Sequence, residues 1–250
     1  MHAAPSRRTG LGLVLLCLSG TLIVGFLLKQ HCASGEWQDG RQYRDLCYSD
    51  IVPLYSSEQL PGGRLPYLDS CRPSAYECDE YPVLTMYVMR IAAWLVPGGG
   101  VGGGVGGGVG GGVGGGGQGP SPPVTALDFS TFFAANATMI AAAAFVTVVA
   151  TYAVVGRRAL YVALAPTLLI YAFVNWDLIA VMFATLGIVA FLRRRNVWSG
   201  VFLGLGAAAK LFPGLLVIPL LLERLRERDP DGAIYLAWAS LGTWVVVNLP

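Results

Sequence analysis

Long apolar runs separated by basic clusters constrain this chain more than any other feature of its sequence. The runs begin near residues 10, 129, 159, 197 and 233. A bilayer's hydrocarbon core is crossed by a helix of about 20 apolar residues. Hydrophobic residues make up 54% of the chain and charged residues only 13%, against about 25% charged in an average soluble domain. We therefore expect an all-α polytopic membrane protein.

The first apolar run, 10–28, follows Arg7 and Arg8. As a helix it would be about 28 Å long, which favours an uncleaved membrane anchor, although a signal peptide remains the alternative. Basic residues flanking a span stay in the cytoplasm. We expect residues 1–29 to be a cytosolic N-terminus plus the first span, in the cytoplasmic (plasma) membrane.

Residues 30–97 are then expected to form a large extracytoplasmic loop. Nine of the chain's fifteen acidic residues lie between Glu36 and Glu80. The loop's four cysteines are expected to form one or two disulfides outside the cell, and three full pairings are open. Four unrelated thiols are the alternative. The stretch 80–96 is short for a span and carries Arg90, so we expect an amphipathic interfacial helix. The loop's cysteines are Cys32, Cys47, Cys71 and Cys78.

A glycine-rich segment, 98–125, follows this loop. It has 17 glycines between positions 98 and 119, with valines at every fourth position. Such a composition cannot bury a core, which predicts a disordered linker.

Residues 126–250 are expected to form the transmembrane bundle, with spans at about 129–155, 159–174, 178–192, 197–222 and 233–249. The run 159–192 is about 51 Å as one helix, too long for one crossing. Splitting it at Asn175, Trp176 and Asp177 puts these polar residues outside, with Trp176 as an interfacial anchor. Lys210 interrupts 197–222, which favours a hairpin broken near Lys210 and Pro213 over one continuous helix.

Candidate chemistry lies in the loop and at the broken helix. Asp50 lies among tyrosines and could accept a proton from an acceptor hydroxyl; a helix-capping acid is the alternative. Glu80, beside the lipid interface, has the same ambiguity. Lys210 suits a lipid-linked phosphate, and a lysine that snorkels to the interface without a ligand is the alternative. We see no basic, aromatic-interleaved patch for nucleic acid and no metal-ligand cluster.

Five ordered motifs, CYSDIVPLY, GGRLPYLD, DEYPVLTMY, FVNWDLIAV and GLGAAAKLFPGLL, resemble glycosyltransferase family 87. The resemblance covers about 43–250 except the glycine linker. It implies a GT-C-like transmembrane bundle with a large extracytoplasmic first loop. Members transfer a hexosyl group, commonly mannosyl, from a polyprenyl-phosphate sugar to a glycolipid or cell-wall glycan acceptor, without a cofactor.

By this resemblance Asp50 is the general base of an inverting transfer, and Glu80 is a second catalytic candidate. The predicted substrate-binding residues are Tyr48, Tyr81, Asn175, Trp176, Asp177 and Lys210. Members are usually longer, so we expect a C-terminally truncated chain. A polytopic lipid or glycan transporter or flippase is the alternative function, as is a catalytically inactive truncated membrane protein.

Overall fold

The computed structural model describes residues 7–33, 37, 39–71, 78–97 and 124–249. Every regular element in these residues is a helix, which confirms the all-α prediction. Before the glycine-rich segment the α-helices are α1 Arg7–Gln30, α2 Ile51–Ser57 and α3 Val83–Trp94. After it they are α4 Ala126–Val155, α5 Leu160–Ala163, α6 Pro166–Tyr171, α7 Asp177–Leu192, α8 Asn196–Ala209, α9 Phe212–Leu215, α10 Val217–Arg226 and α11 Pro230–Asn248.

Two stretches among the described residues are long and apolar enough to cross a membrane. They are Gly10–Gln30 and Ala126–Ala163. Helix α4 begins at a capping box, in which Thr125 and Asp128 bond each other's backbone N–H groups, and this fixes its first turn. It ends at Val155, and the next residue, Gly156, has a φ of 62°, in a region that glycine enters without a steric penalty. The predicted linker 98–125 lies outside the described residues except Val124 and Thr125.

The predicted span at 159–174 is wrong as a continuous helix. The structure has a 3-10 turn at Gly156–Ala159, followed by the short helices α5 and α6. Pro166 begins α6, and Ala165 before it is extended, with φ −62° and ψ 126°. Proline disfavours the helical conformation in the residue that precedes it, so the chain breaks there.

The C-terminal part of the chain is a packed set of antiparallel and parallel helices. Helix α8 ends at Ala209, Lys210 is extended with φ −161° and ψ 142°, and α9 and α10 follow. Arg224 on α10 donates from Nη2 to the carbonyl of Phe191 at 2.6 Å, so α10 returns to the end of the bundle where α7 finishes. The break at Lys210 coincides with the predicted hairpin.

The two ends of this bundle differ in chemistry. Asp177 at the start of α7 pairs with Lys210 after α8. At the other end Arg194 donates to both carboxylate oxygens of Glu227, at 2.7 and 3.0 Å. The arginine-rich turns therefore lie together, opposite the Asp177–Lys210 pair.

Helices α8 and α11 approach closely through Gly200 and Gly204. A Cβ at Gly200 would lie 2.4 Å from the carbonyl oxygen of Leu236, and one at Gly204 would lie 2.5 Å from that of Ser240. Small residues four apart lie on one helix face and let two backbones meet. The glycine spacing therefore sets the distance between these helices.

We expect Gly200→Ala to lower the free energy of unfolding by about 1–3 kcal/mol, the usual cost of overpacking. Gly242→Ala in α11 is the matched control, because a Cβ there meets nothing within 4 Å and alanine favours a helix by about 1 kcal/mol over glycine. Thermal unfolding in detergent measures both. Equal effects of the two substitutions would contradict the close approach.

Candidate functional site

The loop after α1 is fastened to the turn before α7. The backbone N–H of Asp50 donates to the carbonyl of Val174 at 2.8 Å. The buried hydroxyl of Ser49 donates to the carbonyl of Phe173, also at 2.8 Å. These two bonds join segments more than 120 residues apart and satisfy carbonyls that α6 and α7 leave unpaired. They place Asp50 beside the polar turn at 175–177.

Two contacts fix the first part of this loop to the C-terminal end of α1. Lys29 is buried and donates from Nζ to the carbonyl of Leu46 at 3.0 Å. Cys32 and Cys47 form a disulfide, with their Cα atoms 5.9 Å apart. The second disulfide joins Cys71 to Cys78. The structure thus selects one of the three pairings that the sequence leaves open.

Tyr48 contacts the carboxylate of Asp50, and Tyr81 lies near enough to sense its charge. The hydroxyl of Tyr48 donates to Asp50 Oδ1, and this hydrogen bond, with some burial, raises the pKa of Tyr48 to about 12. Burial also raises the pKa of Tyr81, with smaller contributions from the charges of Asp50 and Asp177. Both phenols therefore stay protonated at neutral pH, and Tyr81 lies within electrostatic reach of both acids.

Lys210 and Asp177 form an ion pair whose side chains are 43% and 50% exposed. Among the described residues, Asp177 is the hydrogen-bond partner of the Lys210 ammonium. The backbone N–H of Asp177 donates to Asn175 Oδ1 at 3.0 Å, a turn typical of asparagine. An ammonium group has three N–H donors, so this lysine can hold Asp177 and still bind an anion from solvent.

Trp176 is not the exposed interfacial anchor that the sequence predicts. Its side chain is 2% exposed, and Nε1–H donates to Asn136 Oδ1 on α4 at 2.8 Å. The ring packs edge-on against Tyr81, with centroids 5.4 Å apart. A buried indole N–H needs an acceptor, and Asn136 provides it. Trp176 therefore anchors the turn at 175–177 to α4 and packs against the ring of Tyr81.

Helix α3 is tied to the helix break at Lys210. Thr85 Oγ1 donates to the carbonyl of Ala209 at 2.7 Å, in a buried position. That carbonyl is one of the last in α8, which have no partner within their own helix. The bond links α3 to the residue before Lys210.

Glu80 is exposed. Its backbone N–H is held by a hydrogen bond to Glu58. Glu58 is fully buried and accepts the N–H groups of Asp79 at 2.6 Å and Glu80 at 3.2 Å. Burial raises the pKa of Glu58, although the two N–H bonds oppose this shift. Asp79 pairs with Arg64. Glu58 thus shapes the turn that leads into Tyr81, and a catalytic role for Glu80 stays a prediction.

Asp79 also lies near a cysteine pair. Sγ of Cys71, Sγ of Cys78 and a carboxylate oxygen of Asp79 lie within 4.8 Å of one another. The two sulfurs are joined to each other, so they offer no thiolate for a metal.

The structure brings together six of the eight predicted site residues: Asp50, Tyr48, Tyr81, Asn175, Asp177 and Lys210. Trp176 lies beneath them. Sequence reasoning missed Asn136, Glu58 and Thr85. Asn136 had a usable signal, because a polar side chain inside an apolar helix is costly unless it has a partner. A glutamate and a threonine in polar or amphipathic segments give no such signal.

The site combines an exposed ammonium group, two carboxylates and two protonated tyrosines, which suits binding of an anion next to a proton acceptor. The family model for Glycosyltransferase family 87 matches residues 121–249, which contain Asn175, Trp176, Asp177 and Lys210. No curated protein and no solved structure matches the chain. The match covers just over half of the 250 residues, and the two apolar stretches suit a membrane protein. The chain therefore belongs to glycosyltransferase family 87.

Proposed function

We propose that this membrane glycosyltransferase moves a hexosyl group, mannosyl in the first instance, from a polyprenyl-phosphate sugar to a glycolipid or cell-wall glycan acceptor. The supporting observation is the docking of Asp50 on the carbonyl of Val174. It brings a loop carboxylate to the end of the bundle where Lys210 and Asp177 lie. A general base for the acceptor and a cation for the phosphate of the donor would then lie at the same end of the bundle.

In the proposed reaction, Asp50 accepts the proton of the acceptor hydroxyl. The hydroxyl oxygen attacks the anomeric carbon of the donor, a C–O bond forms, and the configuration inverts. The bond from that carbon to the phosphate oxygen breaks, and polyprenyl phosphate leaves with the electron pair. A positioned base of this kind accelerates a reaction by about 10²- to 10⁴-fold.

Lys210 would hold the phosphate of the donor. The leaving phosphate gains negative charge as its bond to carbon breaks, and a fixed cation stabilises that charge. Asp177 keeps the ammonium in place through their ion pair. The donor is itself a substrate, and we propose that the reaction needs no cofactor or metal.

The neighbouring side chains suit a sugar. Tyr48, Tyr81 and Asn175 offer hydroxyl and amide groups around the two carboxylates, and Trp176 supports the ring of Tyr81. A groove of about 250 Å³ begins at Asn175 and Asp177 and continues along mainly apolar side chains of α5, α6 and α7. The first isoprenoid units of the donor fit such a groove next to the phosphate site.

We propose a multi-pass topology with the N-terminus inside and the catalytic loop outside. Arg194 and Arg224 lie together at the end opposite Asp50 and Lys210. Basic clusters next to membrane spans favour the cytoplasmic side. The site would then face the outer surface of the plasma membrane, where the loop's disulfides are stable.

The test uses membranes from cells that express the full chain and from cells that carry an empty vector. Each is given radiolabelled polyprenyl-phosphate mannose or a radiolabelled nucleotide mannose. We expect label from the lipid-linked donor in the glycolipid or glycan fraction, in excess of the vector control. No excess, or excess from the nucleotide sugar after synthesis of the lipid-linked donor is blocked, would overturn the proposal.

A further inference from the structure

A second groove, which the site described above does not use, lies between α1 and α4. Its volume is about 420 Å³. Ser19 and Phe26 line it from α1, Thr138 and Ala141 line it from α4, and Phe173 from the turn before α7 also lines it. We call it the α1–α4 groove.

The surface of the α1–α4 groove is hydrocarbon-like. Its two hydroxyl-bearing residues turn their hydrogen bonds back into their own helices: Ser19 donates to the carbonyl of Leu15 at 2.9 Å, and Thr138 donates to that of Ala134 at 2.8 Å. The other lining residues are apolar. Sugars and phosphates would lose hydrogen bonds to water here, so the occupant that fits is an alkyl chain.

The position of the groove also favours a lipid chain. Its walls belong to Gly10–Gln30 and Ala126–Ala163, the two described stretches long enough to cross a membrane. Ile23 and Leu27 on its α1 side are 58% and 60% exposed. The groove is therefore at hydrocarbon depth and can be reached sideways from the bilayer.

One end of the groove lies next to the loop segment that carries Asp50. Phe173 lines this end, and its carbonyl accepts a hydrogen bond from the hydroxyl of Ser49 at 2.8 Å. Asp50 follows Ser49 and Val174 follows Phe173, and the N–H of Asp50 donates to the carbonyl of Val174. A lipid chain in the groove would bring its headgroup to the end of the bundle where Asp50 docks, whereas the groove that begins at Asp177 lies next to Lys210.

We infer that the α1–α4 groove holds the alkyl chain of the acceptor, so that the acceptor is a membrane-anchored glycolipid rather than a polymeric cell-wall glycan. This inference rests on the proposed function, in which Asp50 receives the proton of the acceptor hydroxyl. The two grooves then bring the two lipid substrates to one turn from different sides. The acceptor chain contacts Phe173 while the donor phosphate contacts Lys210.

Binding can be measured without any transfer. The probe is a hexadecyl mannoside with a diazirine at the end of its chain, and phosphatidylcholine with the same diazirine is the comparison. The full chain in nanodiscs is irradiated with each probe, and the labelled residues are mapped by mass spectrometry. We expect the mannoside to label α1 and α4 within the groove, and to do so more strongly than phosphatidylcholine.

Ala141→Phe and Thr138→Phe fill the groove. Thr138 is exposed, so its replacement does not press on the core. Ala142→Phe is the matched control, because Ala142 is the next residue of α4, is exposed, and lies outside the groove lining. We expect the fillings to reduce labelling about tenfold, the effect of losing about two methylene contacts. Ala142→Phe should leave it unchanged.

A kinetic assay on the same variants adds a second readout. The fillings should raise KM for the hexadecyl mannoside and leave KM for methyl mannoside unchanged. Equal labelling by phosphatidylcholine, no effect of the fillings on labelling, or equal losses with both acceptors would each overturn the inference. Absence of transfer by the unsubstituted chain would refute the proposed function, while the labelling result would still decide whether the groove prefers a glycolipid.

Discussion

Asp50→Asn should reduce transfer from the lipid-linked donor by about 10²- to 10⁴-fold, the range expected for loss of a positioned general base. Asparagine has nearly the same shape and can still accept the hydroxyl of Tyr48, whose bond to Asp50 Oδ1 orients the side chain. The backbone contact with Val174 is also retained. The substitution therefore removes proton acceptance while the loop stays in place. Initial rates with radiolabelled polyprenyl-phosphate mannose measure the effect.

The matched control is Asp45→Asn, five residues earlier in the same loop. The Asp45 carboxylate lies 3.1 Å from His31 Nε2 in an exposed position and has no hydrogen bond or ion pair with the described site residues, so its replacement should change the rate less than about twofold, because an exposed polar pair contributes only about 0–1 kcal/mol to stability. Equal rates for Asp50→Asn and the unsubstituted chain, at equal protein levels, would remove Asp50 from the mechanism. Equal losses in both variants would indicate a general defect of the loop.

Arg224→Gln should lower the unfolding temperature by about 5–10 °C, which corresponds to about 3 kcal/mol for a chain of this size. Arg224 is 1% exposed. Its guanidinium donates to the side chains of Asn196 and Glu227, both at 2.7 Å, and to the carbonyl of Phe191 at 2.6 Å. Hydrogen bonds of a charged group contribute about 1.5–3 kcal/mol each, and glutamine cannot reach all three acceptors.

Arg226→Gln is the control, two residues later in the same helix. Arg226 has a side chain that is 84% exposed and lies 3.8 Å from Glu223, so its replacement should shift the unfolding temperature by less than about 2 °C. Thermal unfolding in detergent compares the two variants. If both shift the midpoint equally, the cluster around Arg224 does not hold α7, α8 and α10 together.

Some residues of the site could be predicted because they break an apolar pattern. Asn175, Asp177 and Lys210 interrupt runs of hydrophobic residues, and charge in hydrocarbon is costly enough to be informative. The prediction for Asp50 also needed the family resemblance, because an aspartate in a loop can equally cap a helix or contact solvent. Trp176 was predicted at the lipid interface, but its burial depends on a partner 40 positions away, Asn136. No local pattern contains that partner.

The predicted spans likewise include one that local sequence predicts well and one that it does not. Helix α4 was predicted at 129–155 and extends over Ala126–Val155, since a long uniform run leaves few alternatives. The stretch 159–174 was predicted as one span and breaks at Pro166 instead. Hydropathy averages over a window, whereas a single proline changes the backbone conformation of its neighbour.

The sequence by itself determined the helical class, the break at Lys210 and the acids and cation that could do the chemistry. These depend on composition and on single residues within a short window. The tertiary structure alone decided that Ser49 and Asp50 contact Phe173 and Val174, that Lys210 pairs with Asp177, and that Cys32 bonds to Cys47. The physical reason is that such contacts join distant segments, and their partners are selected by packing and by the need to pair buried polar groups.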